Sequence, residues 1–194
     1  MNATIPLPPA STHGGMALSE AIGRRRSVRQ YAARALRPEE IGQLLWAAQG
    51  ITGNAYLLRA APSAGALYPL ELYVADAQGT FHYRPKAHEL LRVGATDVRA
   101  QLRHAAFDQM CVEAAACVIA VAADPRRTTR KYGERGMRYV LMEAGHAAEN
   151  VLLQAAALGL GAVPVGAFDD VEAARVLGLP RGDQALYLLP VGAV

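Results

Sequence analysis

The sequence predicts an α+β fold in a single domain, and three observations support this prediction. The chain has 194 residues, enough for one well-packed core and few for two ordinary domains. Hydrophobic residues make up 52% and charged residues 19%, which is typical of a globular protein. Helical and strand patterns are interspersed, yet the first long strands are predicted to form a hairpin rather than a βαβ unit, which favours α+β over α/β.

Local signals predict the elements at the N-terminal end. Residues 1–15 contain three prolines and are predicted to form an extended arm, with residues 16–194 as the single domain. Ser19 is a candidate N-cap for a first helix that runs toward Arg26. Pro38, followed by two acidic residues, begins a second helix of regular apolar spacing, and Gly50 ends it.

The remaining elements follow from alternation, apolar runs and turn residues. Two strands around a Gln78-Gly79 turn are predicted to pair as a hairpin. A helix, a buried strand, a long helix ended by Gly159 and three short elements follow. The predicted strands are 70–75 and 80–83 (the hairpin), 116–122, 162–166 and 185–191. The predicted helices in this part of the chain are 97–106, 134–158 and 170–177.

The long helix at 134–158 carries a broad apolar face with many alanines. Gly145 and these alanines leave room for a second helix to approach closely. His146 lies within this helix, and a hydrogen-bonded core position is the favoured interpretation for it. The apolar share of the whole chain also indicates surface that a partner covers.

Composition disfavours several classes of protein. The net charge is +3, which gives no strong field for nucleic acid. No apolar stretch reaches the roughly 20 residues of a membrane span, and residues 1–15 lack a signal-peptide pattern. Cys111 and Cys117 lack the spacing of a zinc site and are expected to be buried free thiols, so no metal and a cytoplasmic location are predicted.

Four segments carry residues suited to chemistry. The first, 24–29, combines arginines with Ser27, and guanidinium and hydroxyl donors suit a phosphate group. A solvated basic helix end is the alternative, and a nucleic-acid patch is disfavoured because Tyr31 is the one aromatic residue nearby. The second, 62–69, is rich in small residues that leave backbone amides open to a planar ligand. An ordinary loop is its alternative, and Ser63 is not favoured as a nucleophile.

The other two segments lie on either side of the long helix. The segment 161–166 does not match the G-x-G-x-x-G fingerprint, so a Rossmann nucleotide site is rejected, and a bent buried strand is the plain interpretation. The segment Lys131-Tyr132-Gly133 suits acid–base chemistry if burial shifts the pKa values of its side chains. A solvated turn is the alternative there.

Together, these segments resemble a known family in their order, spacing and identity. Arg25-x-Ser27-x-Arg29-x-Tyr31, the run 44–50 (LLWAAQG) and the run 62–69 (PSAGALYP) resemble the nitroreductase-like FMN enzymes. Lys131-Tyr132-Gly133, with the runs 138–139 (RY) and 143–146 (EAGH), is similar to the SagB-type subgroup of azoline-oxidising dehydrogenases in thiazole/oxazole-modified peptide pathways. The resemblance covers residues 17–192.

The resemblance implies an α/β sandwich with a mixed, mainly antiparallel sheet flanked by helices, and a homodimer formed through the long helices with two FMN sites at its interface. The resemblance also implies which residues contact FMN. The phosphate is expected to contact Arg25, Arg26 and Ser27, flavin N1 and O2 are expected to lie near Arg29, and the pyrimidine edge is expected to lie near Gln109. The loop that reaches the ring is expected to consist of Pro62, Ser63, Ala64, Gly65 and Leu67, and the segment over the ring is expected to be Pro164, Val165 and Gly166, with Gly166 near N5.

The activity that the resemblance implies is ping-pong hydride transfer. NAD(P)H or an organic substrate reduces FMN, and a second acceptor reoxidises it. Azoline-to-azole dehydrogenation of a modified peptide is an alternative, in which Lys131 and Tyr132 are the catalytic pair and burial lowers the pKa of the lysine. A non-catalytic flavin-binding protein is the other alternative. The expected partners are a second copy of the chain and a small-molecule substrate or modified peptide, without nucleic acid or membrane.

Overall fold

The computed structural model describes residues 3–13, 15–53 and 57–194. Seven α-helices are present in these residues: α1 Leu18–Arg24, α2 Pro38–Gln49, α3 Arg99–Ala105, α4 Met110–Ala114, α5 Arg126–Tyr132, α6 Arg135–Ala157 and α7 Asp170–Leu177. The strands are β1 Thr4–Pro6, β2 Ile51–Gly53, β3 Leu58–Arg59, β4 Leu70–Asp76, β5 Gly79–Arg84, β6 Glu89–Gly94, β7 Cys117–Ala123, β8 Leu160–Ala162 and β9 Gln184–Ala193.

Seven strands form one sheet in the order β1-β6-β5-β4-β7-β9-β8, and neighbouring strands pair antiparallel throughout the described residues. The predicted hairpin is β4–β5, with Asp76 opposite Gly79. β2 and β3 form a separate two-stranded ribbon. The prediction of an α+β fold with a mainly antiparallel sheet flanked by helices is confirmed.

The interior strand β7 is apolar and buried at every position, which indicates that the sheet is covered on both faces. Side chains alternate along the strand. Ile119 and Val121 join a core cluster that includes residues of α2 and α6, whereas Val118 and Ala120 join a second cluster that includes residues of α3, α4 and α7. The domain is therefore a sheet between two helical layers.

The helix α6 lies over the sheet and packs against α2. Its buried positions keep helical spacing and include Val140, Ala144 and Val151. The opposite side of α6 carries exposed residues at the same spacing, among them Leu141, Met142, Gly145 and His146. The prediction of a core position for His146 is thus wrong, because it lies on this opposite side.

Other differences from the sequence predictions have local causes. Ala17, rather than Ser19, precedes α1, and no side chain caps this helix. The strand predicted at 162–166 ends at Ala162 because Pro164 has no N–H for a ladder, although Val165 still pairs with Leu188 in an isolated bridge. Within the predicted arm, Thr4–Pro6 form β1 at the sheet edge; residues 1, 2 and 14 lie outside the described residues.

In the described part of the chain, no helix combines the length and the apolar character needed to cross a lipid bilayer.

Candidate active site

Residues 62–68, which we call the site loop, form a tight turn between β3 and β4. The Ser63 hydroxyl oxygen accepts a hydrogen bond from the Tyr68 backbone N–H at 2.9 Å, and the Ser63 carbonyl accepts one from Ala66 N–H at 3.0 Å. Three of the enclosed residues have left-handed backbone: Gly65 (φ 64°), Ala66 (φ 53°) and Tyr68 (φ 46°). Such a conformation is costly for Ala and Tyr and persists where surrounding contacts hold it.

Lys131 and Tyr132 lie directly against the site loop. A Cβ atom placed on Gly65 would be 2.7 Å from the Tyr132 hydroxyl oxygen and 2.9 Å from Lys131 Nζ. The two residues form the last turn of α5, which Gly133 ends, and the Tyr132 ring packs edge-on against Tyr139 of α6 at 5.2 Å. The pair is therefore helical rather than a turn, and Lys131 is exposed in the protomer rather than buried.

A buried polar cluster lies on the inner side of the site loop. The Arg59 guanidinium donates to Gln49 Oε1 at 2.8 Å and lies 4.7 Å from the centre of the Tyr68 ring. Glu143 of α6 joins this cluster with only 2% of its surface exposed. Burial raises the pKa of Glu143 to about 7, against the opposing effects of Ser63, Arg59 and Gln49.

The cluster is incompletely hydrogen-bonded. Within the described residues, Glu143 Oε1 and Gln49 Nε2 are buried and have no hydrogen-bond partner. Buried polar atoms without partners are costly and uncommon in folded proteins. Sequence reasoning did not select these residues, although one signal was present: a carboxylate stands within the apolar spacing of α6, between Val140 and Ala144.

The basic segment 24–29 follows α1. Arg24, Arg25 and Arg26 line a pocket of about 250 Å³ together with residues 159–160 and Leu152 of α6. Arg25 Nε is 3.6 Å from Glu149 Oε1. Arg26 donates to the carbonyl oxygens of Gly23 at 3.0 Å and of Arg25 at 2.7 Å. These contacts hold the segment against the C-terminal half of α6.

The backbone connects this segment with the end of β8. Ser27 forms a parallel bridge with Ala162, and the Val28 N–H donates to the Ala162 carbonyl at 3.0 Å. Pro164, Val165 and Gly166 follow directly; Val165 is buried, whereas Gly166 is exposed. The predicted phosphate segment and the predicted ring-covering segment are therefore neighbours.

Gln109 and Arg29 lie at the same edge. The Gln109 side-chain amide donates to the carbonyl oxygens of Ala106 at 3.1 Å and of Ala167, next to Gly166, at 2.9 Å. Arg29 is exposed. Burial raises the pKa of the Cys111 thiol, and the positive charge of Arg29 opposes this rise, so Arg29 lies near the start of α4, which Gln109 precedes. Arg29, Gln109 and 164–166 thus surround one surface region.

The predicted site residues fall into two groups along α6. The loop group consists of the site loop, Lys131 and Tyr132, and it meets α6 near Glu143. The basic group consists of 25–29, Gln109 and 164–166, and it meets α6 near Glu149. Glu143 and Glu149 are six positions apart, which corresponds to about 9 Å along the helix axis.

Over the described ranges, no group of three or more His, Cys, Asp or Glu side chains is arranged to hold a metal ion. Both cysteines are free and buried, as the sequence predicts.

The fold and these motifs define a family. Residues 22–193 match the model of the nitroreductase family. The chain is also 42% identical over 181 residues, 90% of either protein, to a Methanocaldococcus jannaschii protein whose name places it among the nitroreductases. The chain belongs to the nitroreductase family, and the family implies an oxidoreductase.

Solved structures agree with this assignment. The chain is similar to a protein of Ralstonia eutropha JMP134 that is described as a nitroreductase, with a TM-score of 0.91 and 27% identity over 98% of this chain and 89% of that one. Two structures below 25% identity share the fold. One is the E. coli microcin synthetase McbBCD complex, with a TM-score of 0.79 and 23% identity over 96% of this chain and 76% of that one. The other is the Vibrio harveyi NADPH:FMN oxidoreductase complexed with NAD+, with a TM-score of 0.68 and 22% identity over 91% of this chain and 68% of that one.

Proposed function

We propose that the chain is an FMN-dependent oxidoreductase that transfers hydride in a ping-pong cycle, with NAD(P)H or an organic substrate as donor. The observation that carries this proposal is the meeting of segment 25–29, Gln109 and 164–166 at one edge of the sheet. The name of the Vibrio harveyi neighbour, which includes both FMN and NAD+, supports the same pair of cofactors.

The side chains at this edge fit an anionic, planar cofactor. Arg25 and Arg26 line a pocket that is large enough for a phosphate group, and Ser27 is next to Arg26 in the chain. Arg29 is an exposed cation near the Gln109 loop, suited to the negative charge of a reduced flavin ring. Exposed Gly166 offers a backbone N–H without a shielding side chain. We assign the phosphate to Arg25, Arg26 and Ser27. The positions that we assign to the ring are Arg29, Pro62, Ser63, Ala64, Gly65, Leu67, Gln109, Pro164, Val165 and Gly166.

We further propose that each site is completed by a second copy of the chain. The exposed stripe of α6 carries Leu141 and Met142, with 53% and 51% of their surfaces accessible, and Gly145, beside which a Cβ would meet no atom within 4 Å. Leu18 and Ile22 of α1, which packs on α6, are exposed as well. An apolar helical stripe with a gap for a close approach is suited to pairing with another helix.

Bound FMN would supply the two-electron carrier between the two half-reactions. The protein's own contribution would be binding, orientation and charge. The left-handed site loop presents backbone atoms of 64–66 without bulky side chains, and its neighbours Lys131 and Tyr132 place an amine and a phenol at its outer face. The free, buried cysteines are compatible with a reducing compartment, and we place the protein in the cytoplasm.

The contact between Lys131, Tyr132 and the site loop favours a second candidate, azoline dehydrogenation. In that reaction one C–H bond of the azoline ring gives a hydride to the flavin, and a base removes a proton from the neighbouring atom, so that a double bond forms. Lys131 or Tyr132 would be that base. The likeness to the microcin synthetase complex supports this candidate at the level of fold.

Two measurements test these proposals. Purified protein should be yellow, or become so with added FMN, and should release intact FMN on denaturation; a protein that ignores excess FMN refutes the proposed function. Lys131→Ala should lower azoline turnover by about 10²–10⁴-fold with FMN still bound. Lys86→Ala, at the other lysine of the sequence, is the control and should keep full turnover.

The activities that the Lys131→Ala variant retains distinguish the three candidate functions. Nitro- or quinone-reductase turnover that survives Lys131→Ala supports the general oxidoreductase and excludes the dehydrogenase. Tight FMN binding without turnover on any donor supports a flavin-binding protein instead.

A further inference from the structure

Glu143 has features that set it apart from the other carboxylates of the chain. It stands on the buried face of α6, one turn beyond Tyr139, which contacts Tyr132. α6 packs directly on the 3-10 turn Ala64–Ala66 of the site loop, and the Ser63 hydroxyl is near enough to the Glu143 carboxyl to oppose the rise of its pKa. One of its oxygens has no hydrogen-bond partner within the described residues.

Ser63 connects this carboxyl to the shape of the loop. The Ser63 hydroxyl oxygen accepts the Tyr68 N–H, and this bond closes the turn that contains the left-handed residues. The hydroxyl hydrogen is then free to point at Glu143. A change at Glu143 therefore acts on the hydrogen bond that encloses Gly65, the residue against which Lys131 and Tyr132 lie.

We propose that Glu143 is a positioning residue that keeps the site loop closed while it carries a proton and lets the loop open when it ionises. The physical reason is burial. In the closed loop the carboxyl is shielded from water, so its charged form is disfavoured. Opening the loop admits water to the carboxyl and relieves that penalty, so ionisation shifts the equilibrium toward the open loop.

The groups around Glu143 leave the ionised form poorly compensated. Arg59 from β3 is the cation that acts on it, but this guanidinium donates to Gln49 and is itself shared with Glu71. α2 contributes the neutral Gln49, and the site loop contributes the neutral Ser63. From α5, Lys131 and Tyr132 lie against Gly65, and the positive charge of Arg127 acts on Arg59, whose pKa it lowers.

The size of the coupling follows from linkage. The pKa of Glu143 is about 7 in the closed loop, against the ordinary 4.5 when water reaches the carboxyl. This difference allows ionisation to shift the closed-to-open equilibrium by up to about 300-fold. With these two values, linkage gives a shift of about tenfold between pH 6 and pH 8.5, and a smaller one where the open state solvates the carboxyl incompletely.

Hydrogen exchange of the Tyr68 amide measures this equilibrium directly, because its N–H donates to Ser63 inside the closed turn. In protein without FMN, and after correction for the intrinsic pH dependence of exchange, its protection should fall severalfold, by up to about tenfold, from pH 6 to pH 8.5. Glu143→Gln mimics the neutral acid, so its Tyr68 protection should be the same at both pH values and no lower than that of the wild type at pH 6. Glu134→Gln, an exposed residue next to α6, should behave as the wild type.

Two results would overturn the proposal: a wild-type protein whose Tyr68 protection does not change with pH, or a Glu143→Gln protein that changes as the wild type does. If Glu143→Gln does not fold, NMR titration of the wild type replaces it. The Glu143 carboxyl carbon and the Gly65 and Tyr68 amides should then share one midpoint, and midpoints more than about one pH unit apart refute the coupling.

The relevance of the loop to catalysis rests on the proposed function, whereas its response to Glu143 does not. A protein that never binds FMN but shows the pH-dependent exchange refutes the proposed function alone. A yellow protein with pH-independent exchange refutes the coupling alone. With FMN bound, the loop's ring contact predicts that the visible flavin spectrum changes between pH 6 and 8.5 in the wild type and not in Glu143→Gln.

Discussion

Replacing Glu143 by Gln should make the protein more stable at alkaline pH, although the change removes a charged residue from the interior. The pKa of the Glu143 carboxyl is about 7 in the folded protein, because burial disfavours the charge, and 4.5 in an unfolded chain. Between these values the folded state keeps a proton that the unfolded state has lost. The free energy of unfolding therefore falls as pH rises through this interval.

The magnitude follows from the two pKa values. Each unit of difference corresponds to about 1.4 kcal/mol, so the wild type should lose up to about 3 kcal/mol of stability between pH 4.5 and pH 7 through this one group. Glu143→Gln cannot ionise and avoids the loss. For a chain of this length, the difference at pH 8 corresponds to roughly 6–12 °C in melting temperature. Opening of the site loop would reduce the loss, because it gives the carboxylate access to water.

The assay is urea unfolding of protein without FMN at several pH values from 4.5 to 8, followed by the fluorescence of Trp46, the single tryptophan, and by far-UV circular dichroism at fixed protein concentration. The stability of Glu143→Gln relative to the wild type should rise steadily over this range. A constant difference from pH 4.5 to pH 8 would refute the assignment of a protonated, buried Glu143.

Three further predictions address the proposed site. Arg29→Ala should weaken FMN binding at least about tenfold, as expected for loss of a charged hydrogen-bonding group, whereas equilibrium titration of Arg181→Ala should give the wild-type affinity. In thermal melts, Gly65→Ala should lower the melting temperature more than Gly178→Ala does. Both glycines have φ near 65°, but only at Gly65 would the added Cβ contact Lys131 and Tyr132. Equal losses of melting temperature would show that this contact is unimportant. Leu141→Glu should give monomers in sedimentation and abolish FMN binding, whereas Val171→Glu, at an apolar residue of α7 that is 80% exposed, should do neither; a monomer that binds FMN tightly contradicts the composite site.

The sequence predicts those elements whose ends are marked locally. α2 begins at Pro38 and ends before Gly50, as its signals indicate. α5 was not predicted because it lacks apolar periodicity; it forms where Asp124 accepts the Arg126 N–H at 3.1 Å and where α6 packs beside it. β6 was also missed, since its pairing with β1 and β5 is a tertiary contact that no local pattern reveals.

The same distinction applies to the candidate site. The site loop, Lys131 and Tyr132 were found because they stand in recognisable motifs, and the structure brings them into contact. Gln49, Arg59 and Glu143 come from three separate elements, and each alone has an ordinary explanation. Only the fold shows that they share one buried cluster with unpaired atoms.

A comparison with Glu40 supports the functional interpretation that we propose for Glu143. Glu40 is equally buried, with 3% of its surface exposed, and burial alone would raise its pKa. Hydrogen bonds from Arg34 and Arg37 outweigh burial and lower the pKa of Glu40 to about 2. This carboxylate stabilises the start of α2 above pH 4.5 and loses that effect only toward pH 2.

The buried carboxylate of Glu40 at α2 is thus paired with arginine side chains, whereas the buried carboxyl of Glu143 near the site loop is incompletely hydrogen-bonded. At Glu143, burial dominates, one oxygen is unpaired, and the neighbouring turn holds Ala66 and Tyr68 in left-handed conformations. Each of these features lowers stability, and all of them meet at the loop that faces Lys131 and Tyr132. Such a concentration of unfavourable terms persists where a site requires it. The matched variant Glu40→Gln should accordingly lose stability relative to the wild type by the same amount at every pH from 5 to 8, whereas Glu143→Gln should gain it progressively.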